Sequence, residues 1–117
     1  MMEGRDYMDY LRDILDGIEK AESFIGGMDF EQFVSDEKTA FAVVRALEII
    51  GEAVKKVPTG LRETNPDLPW REMARLRDKL IHDYISVNLE VVWKTVKNDL
   101  PPLHGKVAAI LSAELGD

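Results

Sequence analysis

No cysteine occurs in the 117 residues, which excludes a disulfide framework, a thiolate nucleophile and any cysteine-ligated zinc. Long apolar runs are missing too, and the stretch from Ala40 to Val44 falls far short of a membrane span. The first residues, Met1 to Asp6, contain no apolar signal core. There is no glycine-rich phosphate loop, and no Glu-x-x-His pair of the kind that ligates two metals in some helical bundles. No Ser/His/Asp set is legible. An excess of positive charge is also absent: Lys and Arg number 15 against 22 Asp and Glu, a net charge of −7. A protein that coats nucleic acid non-specifically needs a net basic surface, so that class is excluded, although a small local basic site is not. These absences predict a water-soluble, cytoplasmic chain.

What is present is enough for one core. Hydrophobic residues make up 45% and charged residues 32%, too apolar for disorder by composition. The length predicts a single domain, 1–117. Charge is unevenly spread, since residues 1–37 hold eleven acids and three bases, and the rest is nearly balanced. Arg71, Arg75, Arg77 and Lys79 crowd nine residues, with Glu72 and Asp78 among them. A solvated helix face explains such a cluster without any function.

Apolar residues recur at spacings of three and four. Tyr7, Tyr10, Leu11, Ile14, Leu15, Ile18, Ala21 and Ile25 form a first stripe, which Gly26-Gly27 ends. A short piece, Phe30 to Val34, follows Asp29 as N-cap. A second long helix is predicted from after Ser35 to about Val57, with Ala40, Phe41, Val44, Leu47, Ile50, Val54 and Val57 as its stripe. Thr59 to Pro69 reads as a loop with at most one helical turn. Pro69 suits the first turn of a third helix, Trp70 to about Tyr84, and Asn88 caps a fourth, Leu89 to about Asp99. Pro101-Pro102 removes two backbone donors, so the chain kinks or restarts there before Leu103 to Leu115. The predicted fold is all-α: a four-to-five-helix up-and-down bundle with its last helix kinked near Pro101-Pro102.

Few residues offer chemistry. Glu48 and Glu52 share a face and could hold a hard cation, though such a pair more commonly meets a neighbouring base. His104 reads as a surface or helix-start residue without a role. His82 differs, because Arg77, Asp78, His82 and Tyr84 fall within eight residues. Asp78 and His82, four apart, share a helix face. On a regular coil Arg77 and His82 are about 140° apart and do not converge on one small group. A site needing both must unwind the helix near His82 or bring in a second copy of the chain. Twofold interfaces are the commonest oligomer contact, which favours a site completed at a dimer interface.

The groups themselves suit phosphodiester chemistry. A neutral imidazole can take a proton from a hydroxyl while a carboxylate such as Asp78 orients its other nitrogen. The Arg77 fork fits a phosphodiester and the added charge of a phosphorane, and Tyr84 can donate to phosphate or stack on a base. RNA supplies its own 2′-hydroxyl nucleophile, so no metal or other cofactor is needed. An ordinary helix end, with Arg and His favouring the macrodipole, is the competing explanation.

At these residues the chain resembles the HEPN superfamily and its HepT-like branch. The motif is Arg, four to six residues, His, any residue, then a Tyr/Phe-like position, here Arg77, His82 and Tyr84. Similarity extends, in the same order, through Arg45 to Ala53, Leu68-Pro69-Trp70-Arg71, Val92 to Thr95 and Asp99-Leu100-Pro101. The resemblance implies a helical, dimeric, metal-independent endoribonuclease that serves as the toxin of a toxin–antitoxin pair. It also implies a minimal nucleotidyltransferase antitoxin as partner, which silences the toxin by attaching AMP to the motif tyrosine, Tyr84 by position. Family members commonly carry Asn directly after the motif arginine. Here Asp78 stands there, a carboxylate that can orient His82 and can also repel phosphate. The expected site is therefore Arg77 and His82 as catalytic residues, supported by Asp78 and Tyr84. The alternative expectation is a non-catalytic dimeric module that binds and regulates a nucleotidyltransferase through its acidic first third.

Overall fold

The computed structural model describes residues 6–75 and 88–116. Helix α1, Tyr7–Ile25, starts where the Asp6 carboxylate accepts from the Met8 amide at 3.0 Å. It buries Leu11, Ile14, Ile18, Ala21 and Ile25, the stripe anticipated from spacing. It ends at Gly26, whose φ of 53° only glycine adopts without strain and whose N–H donates to Glu22 O at 2.9 Å. Helix α2, Phe30–Ser35, opens with a reciprocal capping box between Asp29 and Gln32.

Helix α3, Glu37–Lys56, is capped by Asp36, not by Ser35. The Asp36 carboxylate accepts from the Thr39 amide at 3.0 Å, while the Ser35 hydroxyl is occupied with Glu31 O at 2.8 Å inside α2. The buried seam of α3 includes Val43, Leu47, Ile50 and Val54. Phe41, expected on that stripe, is instead 48% exposed. Counted from Leu47 it lies about 120° round the helix, so its three-residue step to Val44 does not carry it into the core. Helix α4, Thr59–Glu63, is the single turn foreseen in the proline-rich connection.

Residues 70–75 are helical. Helix α5, Leu89–Lys94, runs into a π-helical turn at Thr95–Asp99 and then helix α6, Leu100–Glu114. The break expected around Pro101-Pro102 therefore lies directly upstream of the prolines. The Leu100 N–H donates to Thr95 O, five residues back. Widening the coil by one residue per turn lets the chain enter a new helix whose first positions need no N–H, where proline fits. That helix accordingly begins at Leu100, three residues before the expected restart.

Helix α1 packs along both α3 and α6. Contacts of Tyr7 with Glu114 and of Glu19 with His104 show that α1 and α6 run antiparallel. Gly17 faces α3 closely, because a Cβ there would lie 2.7 Å from Ile50 Cγ1. At the other side of the bundle the Trp93 ring packs 5.5 Å from Phe33 and 5.8 Å, edge-on, from Phe30. The fold is an all-α bundle, as expected, with no strand among the described residues.

Candidate active site

Arg77, Asp78, His82 and Tyr84 all lie outside the described residues, within 76–87. What the structure places is the frame at either end of that segment. On the N-terminal side Pro69 opens the coil, and its carbonyl accepts from the Met73 amide at 3.0 Å. Trp70 and Met73, three apart, are both buried, as is Leu68. The indole N–H of Trp70 donates to Asn65 O at 2.8 Å, and the Leu68 amide donates to the same carbonyl at 3.3 Å. Asn65 is itself held by its amide Nδ2, which donates to Leu61 O at 3.0 Å. A buried indole with its one donor satisfied is a stiff anchor, since neither its ring nor its N–H gains from leaving. The opposite face of this coil carries Arg71 and Arg75, both exposed.

The C-terminal side is fixed by Asn88, the cap foreseen from sequence. Its Oδ1 accepts from the amides of Glu90 at 2.9 Å and Val91 at 3.2 Å. Its carbonyl takes the first turn's bond from Val92 at 3.1 Å. Helix α5 is then locked by buried Val92 and by the Trp93 ring, over which Lys97 Nζ sits 5.2 Å from the centroid. The twelve residues that contain the motif are thus bounded by a buried tryptophan helix on one side and a doubly capped helix on the other.

Near the first anchor, a cleft of about 400 Å³ is lined by residues including Leu68, Glu72, Asp99 and Lys106. Lys106 Nζ lies 2.7 Å from Asp67 Oδ2 across its mouth. That ammonium holds the Asp67 carboxyl below the ordinary carboxylate range.

The remaining sequence candidates resolve plainly. Glu48 meets Arg45 at 3.2 Å and Glu52 meets Lys56 at 3.6 Å, so each of the paired carboxylates has a basic neighbour. Among the described residues no group of three or more His, Cys, Asp or Glu is placed to hold a metal. His104, read from sequence as a surface or helix-start residue, lies near the start of α6 with its Nε2 2.9 Å from Glu19 Oε2. The partner is 85 residues away in sequence, and local spacing carries no signal of it.

An all-helical bundle with an Arg-x4-His-x-Tyr sequence between two anchored helix ends defines a HEPN-type protein. The chain belongs to the HepT-like ribonuclease family: residues 14–110 match the family described as Ribonuclease HepT-like. The enzyme class expected from sequence, a ribonuclease, therefore stands. A relative in Thermococcus cleftensis, named "Probable ribonuclease HepT", is 56% identical over 102 residues, covering 87% of this chain and 93% of its own. Several relatives carry the name "Putative RNase". One of those in Methanocaldococcus jannaschii is 41% identical over 110 residues, covering 94% and 95% of the two chains. The one in Caldanaerobacter subterraneus subsp. tengcongensis is 45% identical over 105 residues, covering 90% and 94%. No solved structure matches the chain.

No helix among the described residues is long and apolar enough to cross a membrane.

Proposed function

We propose that this chain, as one HEPN-like domain spanning 1–117, is a metal-independent endoribonuclease and the toxin of a toxin–antitoxin pair. The observation that carries the reading is family membership over residues that include Arg77, His82 and Tyr84 in the motif's order and spacing. His82 takes the proton of a ribose 2′-hydroxyl, whose oxygen attacks the adjacent phosphorus. The bond to the 5′-oxygen breaks, and that oxygen leaves with a proton. A 2′,3′-cyclic phosphate remains on one fragment and a 5′-hydroxyl on the other. Arg77 neutralises the charge that builds on the phosphorane, Asp78 orients His82, and Tyr84 positions the substrate. Because a regular coil would set Arg77 and His82 about 140° apart, the proposed mechanism has two protomers supply them to each site, with a homodimer as the working form. By resemblance the partner is a minimal nucleotidyltransferase antitoxin that attaches AMP to Tyr84, in the cytoplasm.

The experiment is purified protein on single-stranded RNA with EDTA present. The expected result is cleavage that leaves cyclic phosphate ends, with His82→Ala at least a hundredfold slower, the usual scale of a lost general base. Equal cleavage by the variant would sink the assignment.

One observation favours a second reading, a non-catalytic module that binds and regulates a nucleotidyltransferase. The first 37 residues hold eleven acids against three bases, a surface suited to a basic partner. Co-purification with that partner, together with full growth tolerance when this chain is overexpressed alone, would favour it.

A further inference from the structure

The basic pair at the entrance to the motif segment has no part in the chemistry above. Arg71 and Arg75 are four residues apart on the helical stretch 70–75, so both guanidinium groups leave the same face, about 6 Å apart along the axis. Both residues are exposed. Neither has a carboxylate within ion-pair distance among the described residues. This is unlike much of the chain, where bases sit against acids: Arg12 with Asp9, Lys20 with Asp16, Arg45 with Glu48, Lys94 with Glu90, Lys106 with Asp67. The nearest acid in sequence, Glu72, lines the cleft with Asn98, Asp99 and Lys106 instead. The backbone beneath the pair is held by buried Trp70 and Met73. Two planar forks one turn apart on an anchored coil, with no carboxylate partner among the described residues, match successive phosphates of a single strand better than a solvated face needs.

We propose that Arg71 and Arg75 are a phosphate-contacting pair that positions single-stranded RNA on its way to the motif segment. This rests on the ribonuclease reading, and it adds to it a binding surface separate from the reacting groups. In a chain of net charge −7, such a pair gives a local attraction that the overall field does not supply.

The test is direct binding of a labelled single-stranded RNA oligonucleotide to the intact protein across a range of salt, with cleavage assayed in parallel. For single strands each phosphate contact contributes about 0.7 to the slope of log affinity against log salt. Arg71→Gln and Arg75→Gln each lower that slope by about 0.7, and the double variant by about 1.4. Arg→Lys at both positions restores most of the slope. In cleavage, KM rises while kcat at saturation is kept. Lys20→Gln on α1, a base of equal charge paired with Asp16, leaves the slope unchanged and controls for net charge. An unaltered slope in the double variant, or no measurable RNA binding by the parent protein, overturns the proposal. Cleavage that persists with an unaltered slope removes this pair alone, whereas absence of cleavage by the parent protein removes the ribonuclease reading.

Discussion

Asn88 caps α5 with a single oxygen that takes two amides. Removing it leaves two orphan donors at the start of α5. Asn88→Ala costs about 1 kcal/mol of stability, as N-cap losses do, which a shift in urea midpoint will read. Asp36 and Asp67 act through charge. Hydrogen bonds from the Thr39 amide lower the Asp36 carboxyl, and the bond from Lys106 lowers that of Asp67. A carboxyl lowered in the folded state binds its proton more readily when unfolded, so its contribution is complete above the unfolded value, about 4. It fades as pH falls through the lower folded value. The urea midpoint is therefore expected to drop below about pH 4, and less steeply in a Asp36→Asn, Asp67→Asn double variant. An equally steep drop in that variant would contradict the assignment.

Among elements, α1 and α3 meet closely at Gly17 and Ile50. Gly17→Ala sets a methyl 2.7 Å from Ile50 Cγ1, in the buried seam. Overpacking of this kind costs about 1–3 kcal/mol, and trimming Ile50 to Val in the same chain removes only part of it, because Cγ1 remains. Thermal unfolding of the pair of variants measures both terms. Elements were readable from sequence where the signal is local. The Gly26 stop, the Asp29 box and the Asn88 cap each need only neighbours a few residues away. Phe41 misled because a three-residue step to one apolar neighbour looks like a stripe even when the seam lies elsewhere. The π-helical turn at Thr95–Asp99 has no propensity signature, and only the two prolines that follow it hint that the coil must adjust. The Glu19–His104 and Asp67–Lys106 pairs depend on how helices dock, which spacing within one segment does not encode.

At the scale of the whole molecule, Arg77, His82 and Tyr84 stand out in the sequence through their resemblance to the HEPN motif, and their placement lies outside the described residues. Spacing gives their geometry only as a conflict, since a regular coil would point the guanidinium and the imidazole about 140° apart. In the proposed mechanism a second protomer resolves that conflict. The described frame adds an anchored helix on either side of the segment and an exposed basic pair just before it in sequence, and the proposed mechanism adds a second protomer. Metal independence is part of the proposed mechanism. Activity is expected to survive EDTA unchanged, and restoration of lost activity by a divalent cation would contradict it.

Mixing two inactive proteins tests this most directly. Arg77→Ala and His82→Ala variants, each inactive alone, are combined, allowed to exchange subunits, and assayed on single-stranded RNA. If each site takes its arginine from one protomer and its histidine from the other, about half the dimers are mixed and one site in each is intact, returning about a quarter of the parent activity. Activity no greater than that of the separate variants, with subunit exchange verified, would contradict a site shared between two chains.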